Sequence, residues 1–205
     1  MLDHLVLATP DVDRTAADLA GRHLHTLEGG PHTGLGTRNR LAGIGPGRYL
    51  EVVGPDPAQD EPPAPRPFRI DTLAAPALVT WAVRVGDLDA ARAAARAAGH
   101  DPGPARDMSR RRPDGELLAW RLAFPPDDGG GVLPFLIDWG ATRHPSGDLP
   151  VPASLRTLRL THPDPDRVRA LLDAVGAAGE ADVVAGETPS LEAVLDLPGG
   201  PLVLS

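Results

Sequence analysis

The 205-residue chain contains no cysteine and no lysine. The first absence removes disulfides, thiolate nucleophiles and cysteine-ligated metals together. The second leaves arginine to supply every strong cation, within a formal net charge of −8. That acidic balance argues against nucleic acid as a general partner. Aromatic residues are scarce too: three Trp, three Phe and one Tyr, 3% of the chain. A core has to be built mainly from Leu, Val and Ala. The sequence has no basic segment leading into an apolar one and no apolar window of membrane-spanning length, so a soluble cytoplasmic protein is expected, with no membrane partner. It also has no Gly-rich phosphate loop, nucleophile elbow or zinc-spaced cluster, and no nucleotide cofactor is expected. Abundance lies elsewhere, in 23 Gly and 24 Pro. Because these fall between regular apolar runs, they read as punctuation between short elements of a globular chain.

Those elements repeat. Three stretches align without gaps: "HLVLATPDVD" from His4, "TWAVRVGDLD" from Thr80 and "TLRLTHPDPD" from Thr157. Each is an apolar strand running into Pro or Gly and then Asp-x-Asp. Asp11, Asp87 and Asp164 fall at helix N-cap positions, where a carboxylate accepts from free backbone amides and complements the helix dipole. The helices that follow carry their apolar residues at helical spacing. Leu88, Ala91, Ala95 and Ala98 mark the second, ending at Gly99; Val168, Leu171, Leu172 and Val175 mark the third, ending at Gly176. The first runs from Asp11 to about Leu24. Three strand-like runs come after each helix, including "TRNRLAGIG" and "RYLEVVG" in the first unit, "ARDMSRRR", "ELLAWRLAF" and "LPFLIDWG" in the second, and "SLEAVLDL" and "GPLVLS" in the third. The reading is an α+β chain of βαβββ units at 1–56, 78–141 and 155–205. A Pro-rich linker at 57–77 is expected to be extended and partly exposed.

Tandem βαβββ modules whose sheets curl into a shared cup resemble the vicinal-oxygen-chelate superfamily, which includes glyoxalase I, extradiol dioxygenases and bleomycin-resistance proteins. Within it, "GGPHTGLGTRNRLAGIGPGRYLEVVGPD", "MSRRRPDG", "LAWRL" and "PFLIDWG" are similar to the glyoxalase-like domain proteins of bacteria. The resemblance implies that the first two units pair around the cup. It also implies that His4, from the first strand, and Glu51, from "RYLEVVG", face into that cup as ligands of a divalent metal. Such a metal chelates two adjacent substrate oxygens and stabilises an enediolate. Glu51 stands among Leu50, Val52 and Val53, where burying an unpartnered charge would be costly. The second unit does not complete a ligand set: Thr80 matches His4, and Ile137 matches Glu51. Asp138 is next door, but one residue along a strand points to the opposite face. His32 in the Gly-rich stretch is the candidate third ligand or a substrate contact.

Further substrate contacts are expected from Asn39, Trp120 and the arginine run. On a strand Arg110 and Arg112 share one face and Arg111 takes the other. In a cup the first two would clamp a carboxylate or phosphate; on an open edge they would only discourage aggregation. Trp120 and Arg121 likewise point to opposite faces. Trp139 reads equally well as plain core. His23, His25, His100, His144 and His162 read as surface or capping residues. Two functions fit this set. One is a glyoxalase-like lyase or isomerase acting on a small oxygenated, anionic metabolite, with His4 and Glu51 as metal ligands or as an acid/base pair. The other is a binding protein of the bleomycin-resistance type that sequesters a compound without chemistry. The third unit has no mate among three. Leu191, Ala193 and Leu195 are expected beneath its helix, and the other, semi-polar face, with Glu192 and Asp196, to pack on a second chain as a homodimer or else to lie across the first two units as a lid.

Overall fold

The structure is a computed structural model and describes residues 1–111 and 115–205. Its first unit runs β1 (Leu2–Ala8), α1 (Val12–Gly21), β2 (Leu27–His32), β3 (Thr37–Gly43) and β4 (Tyr49–Pro55). The second runs β5 (Ala77–Arg84), α2 (Leu88–Ala97), β6 (Ala105–Arg111), β7 (Leu117–Ala123) and β8 (Phe135–Asp138). The third runs β9 (Ser154–His162), α3 (Pro165–Ala174), β10 (Asp182–Ala185), β11 (Ser190–Leu197) and β12 (Gly200–Leu204). All three helices start as the Asp-x-Asp repeat predicts. The side chains of Asp11, Asp87 and Asp164 accept from the backbone N–H groups of Arg14, Ala90 and Arg167. The stripe of Val168, Leu171, Leu172 and Val175 is buried. Helix α1 stops at Gly21, ahead of Leu24, because His23 takes a left-handed φ of 68° and turns the chain.

The first two units form one eight-stranded sheet in the order β2-β3-β4-β1-β5-β8-β7-β6. At its centre β1 runs antiparallel to β5 and parallel to β4. The sheet curls until its edge strands meet, with the Arg110 guanidinium of β6 donating to the Gly29 carbonyl of β2. Gly30 makes this closure possible. It sits at φ +117°, and a Cβ there would come within 2.7 Å of the Arg111 carbonyl oxygen. Alternation along β1 separates two cores. Leu5 and Leu7 face outward with Leu19 of α1 and Leu88 of α2, while Val6 and Ala8 face the concave side with Phe135 and Ile137.

The third unit has its own four-stranded sheet, ordered β10-β9-β11-β12. Its apolar face carries Leu158, Leu160, Leu191, Ala193 and Leu195, which join the outward core of Leu5, Trp81 and Val83. Helix α3 packs on α2 and β11 on β5. Two backbone bonds tie the parts: Leu78 N–H donates to the Ser205 carbonyl at 3.0 Å, and Leu155 N–H to that of Ile44 at 2.9 Å. The apolar face is thus covered within the chain, by α3 and by the first two units, while Glu192 and Asp196 on the opposite, semi-polar face stay partly exposed. The unit also lies on the side of the sheet away from the cup, which removes the lid. His100, expected at the surface, is 5% exposed; its Nε2 meets the Arg167 carbonyl of α3 at 3.1 Å.

The linker is more structured than its composition predicts. Arg66 ties it by ion pairs to Glu61 and Asp71 and by a hydrogen bond to the Gly36 carbonyl. A 3-10 turn at Pro67–Thr72 follows, with Ile70 buried in the concave core. Phe68 and Arg69 take φ of 61° and 56° there, a left-handed pair without glycine. Among the described residues no helix is long and apolar enough to cross a membrane.

Candidate functional site

The site begins with an irregularity in β1. Its pairing with β5 shifts register between Leu2 and His4, leaving Asp3 as the extra residue. Such a bulge re-aims a side chain that alternation would send to the other face. The Asp3 carboxylate, 0% exposed, consequently meets three ring N–H donors. These are His4 Nδ1 at 2.6 Å, His144 Nε2 at 2.8 Å and Trp139 Nε1 at 3.0 Å. Burial alone would raise the Asp3 carboxyl, but the bonds to His144 and His4 outweigh it and hold the group well below the usual carboxylate range. An ionised Asp3 fixes the proton of His4 on Nδ1 and turns its Nε2 lone pair away from the strand.

That Nε2 faces Glu51 Oε2 at 3.7 Å. On β4, parallel to β1, Glu51 pairs with Val6 and lies two residues beyond Tyr49, the partner of His4, so both side chains emerge on the concave side. The other carboxylate oxygen, Oε1, accepts from Asn39 Nδ2 at 2.5 Å. The same amide nitrogen reaches His32 Nε2 at 3.3 Å, and His32 Nδ1 meets Thr37 Oγ1 at 3.0 Å. This network is satisfied when His32 is neutral and protonated at Nδ1. Burial favours that state, pushing the His32 imidazole down against the opposing pull of Glu51. Gly29 leaves room for Asn39, since a Cβ there would overlap the amide oxygen.

These groups line one cavity of about 100 Å³ inside the curled sheet. His4, His32, Asn39 and Glu51 of the first unit make one wall; Met108, Trp120, Leu122, Phe124, Ile137 and Trp139 of the second make most of the other. A chain of ring contacts runs along it from Phe68 to Trp120, by way of His144 behind the wall. Phe68 meets Phe124 (5.8 Å between centroids), Phe124 meets Phe135 (4.3 Å), and Phe135 meets His4 (5.4 Å). His4 then stacks on Tyr49 (4.6 Å), Tyr49 meets His144 (5.7 Å), His144 meets Trp139 (5.5 Å), and Trp139 meets Trp120 (5.4 Å).

Of the residues singled out in the sequence, His4, Glu51, His32, Asn39, Arg110 and Trp120 all line this cavity. Arg111 is exposed, and Arg121 pairs with Asp89 on the outside, as alternation predicts. Arg112 lies outside the described residues. Ile137 lines the cavity, while Asp138 turns away to accept from the Leu88 and Gly140 N–H groups. Thr80 lines a neighbouring hollow with Phe68 and Phe124. His144 is a capping residue, accepting from the Ser146 N–H ahead of a short 3-10 turn, and in addition donates to Asp3; Trp139 is both core and cavity wall. Asp3, Tyr49, Phe68, Phe124 and Phe135 were not anticipated. Only the bulge, the linker fold and long-range packing reveal them.

The donor set does not fit a metal. Among the described residues, no group of three or more His, Cys, Asp or Glu side chains is placed to hold one. Asn39 supplies a physical reason at His32: its N–H group stands on His32 Nε2, whose single lone pair a ligand bond would need. His4 Nε2 and the Glu51 carboxylate remain, the incomplete pair already evident in the sequence.

Two βαβββ units closed edge to edge around one cavity, with His and Glu on its central strands, define a vicinal-oxygen-chelate protein. A family model described as "Glyoxalase-like domain" matches residues 2–176, and the chain belongs to that family. No curated protein matches the sequence. Among solved structures, a hypothetical protein from Staphylococcus aureus is similar over 100% of this chain and 98% of its own, with 13% identity and a TM-score of 0.71. The Mn(II)-bound glyoxalase from Novosphingobium aromaticivorans is similar over 98% of this chain and 79% of its own, with 14% identity and a TM-score of 0.51. A Streptomyces coelicolor methylmalonyl-CoA epimerase variant in complex with 2-nitronate-propionyl-CoA is similar over 71% of this chain and 98% of its own, with 22% identity and a TM-score of 0.48.

Proposed function

We propose that the protein is a lyase or isomerase of the glyoxalase-like class that moves a proton on a small oxygenated metabolite held in the cup. The observation that carries this reading is the line Asp3–His4–Glu51, buried at one end and opening on the cavity at the other. His4 Nε2 takes the proton from a carbon next to a carbonyl, and the bonding pair moves onto the carbonyl oxygen. Asp3 and Glu51 flank the imidazolium that results, one on each ring nitrogen, and lower its cost. The proton then returns to the same or the neighbouring carbon, so the step needs no co-reactant. Arg110, on the cavity wall, provides positive charge for the developing enolate and suits a substrate that is itself anionic. His32 and Asn39 hold Glu51 in place, and Trp120 forms a flat wall.

The test is exchange of ligand C–H for deuterium in D2O, followed by proton NMR over a panel of small 2-oxo acids and hydroxyketones. The native protein is expected to catalyse exchange on at least one of them. His4→Gln should lose it by a factor on the order of 10² to 10⁴, and Asp3→Asn by a similar factor, because the amide fixes the wrong tautomer. A second reading has its own support in the ring lining: a protein that sequesters its ligand without chemistry. Binding without exchange in the native protein would decide for it.

A further inference from the structure

The chain has seven aromatic residues of the Trp, Phe and Tyr types, and six of them line the one cavity just described. The seventh, Trp81, is fully buried in the outward core. Everywhere else the chain fills space with Leu, Val, Ile and Ala. An apolar wall alone would not need rings, since those smaller residues serve the rest of the molecule. Rings differ from aliphatic groups in geometry: they present flat faces and polarised edges, and they favour offset or edge contacts with other rings. Most of the ring pairs here are tilted or T-shaped. The cavity volume, about 100 Å³, is of the order that admits a single six-membered ring when part of the ligand reaches the mouth. At the polar wall, Glu51 Oε2 and His4 Nε2 offer acceptors at 3.7 Å from each other.

We infer that the ligand of this cavity is a single planar ring, aromatic or fully conjugated, carrying a hydroxyl or N–H group that donates to the Glu51–His4 pair. The inference deepens the proposed function by naming the ligand class of the same site and rests on that reading only for the location; the carbon that gives up its proton then belongs to a carbonyl-bearing substituent of the ring, the part that reaches the mouth. Trp120 and Phe135 take the ring's faces and edges; Glu51 takes its donor.

Calorimetry on the full chain tests it with matched, uncharged pairs of probes: phenol against cyclohexanol, and resorcinol against cyclohexane-1,3-diol. Each planar member is expected to bind about tenfold tighter than its saturated counterpart, the preference two or so ring contacts provide. Trp120→Leu and Phe135→Leu should each bring the ratio towards one. Glu51→Gln should weaken both members of a pair and leave the ratio standing. Equal binding of the two members by the native protein, or no binding of either planar probe at millimolar concentration, would overturn the inference. These readouts involve no turnover. Absence of deuterium exchange with the ratio intact would therefore count against proton transfer alone.

Discussion

Three ring N–H groups converge on the Asp3 carboxylate, and none of the solvent that would normally stabilise it has access. The cost of that burial is offset only while Asp3 is ionised. His32, also buried, is held neutral by the same physics acting on a base. Both groups have folded-state pKa values below their ordinary ones. Each therefore contributes stability that is complete above the unfolded pKa and is lost as pH falls through the folded one. Thermal stability should fall below about pH 6.5, where the unfolded chain begins to protonate His32 and His100, both of which burial pushes down, and again below about 4 through Asp3 and the arginine-paired Asp13, Asp71 and Asp89. His32→Asn should shrink the first decline, leaving the His100 share, and spare the second, as followed by Tm against pH. At this scale the sequence was partly readable. The family resemblance brought His4, Glu51, Asn39, Arg110 and Trp120 together; alternation, with its strict period of two, told only which strand neighbours, such as Arg111 and Arg121, point away. Asp3 could not be placed, because the same rule sends it opposite His4, and nothing local announces the bulge that overrides it. His144 lies 141 residues from its partner.

Elements were easier to read than their surroundings. Asp caps, apolar stripes and Gly stops are local signals: all three helices obey the caps, α2 and α3 end at their glycines, and α1 turns at His23 instead. The segment between the first two units defeats such signals. Proline-rich composition predicts an extended chain, whereas Arg66 gathers two carboxylates and the Gly36 carbonyl and draws Phe68 onto the cavity. The turn this requires puts Phe68 and Arg69 in left-handed backbone, where a side chain costs about 1–2 kcal/mol. Phe68 is compensated by its contact with Phe124. Arg69 is exposed. Arg69→Gly should therefore raise stability by about 0.5–1 kcal/mol, the relief of strain less the added entropy of glycine in the unfolded chain. Urea unfolding with an unchanged slope measures it; a loss of stability would mean that the Arg69 side chain contributes a contact outweighing the strain.

For the molecule as a whole, the repeat announced three units but could not say how an odd one is accommodated. Alternation in "SLEAVLDL" marks a face for burial without naming what covers it. The answer is the outward face of the paired units, where Leu195 packs fully buried in a core continuous with Leu5 and Trp81. The third unit is thus a structural support for the sheet that carries the site. Leu195→Ala should destabilise the protein by about 2–5 kcal/mol. Because the core is shared, far-UV circular dichroism should still register a single transition at lower temperature. Two separated transitions would show that the units unfold independently.

The clustering of rings also has an optical consequence. Absorption and asymmetry between 260 and 300 nm come from Trp, Tyr and Phe, and six of the seven such chromophores surround one cavity. The near-ultraviolet dichroism of this protein is then largely the spectrum of its cup, with Trp81 alone speaking for the outward core. Any guest that shifts the cup's rings writes its signature there, with no label attached.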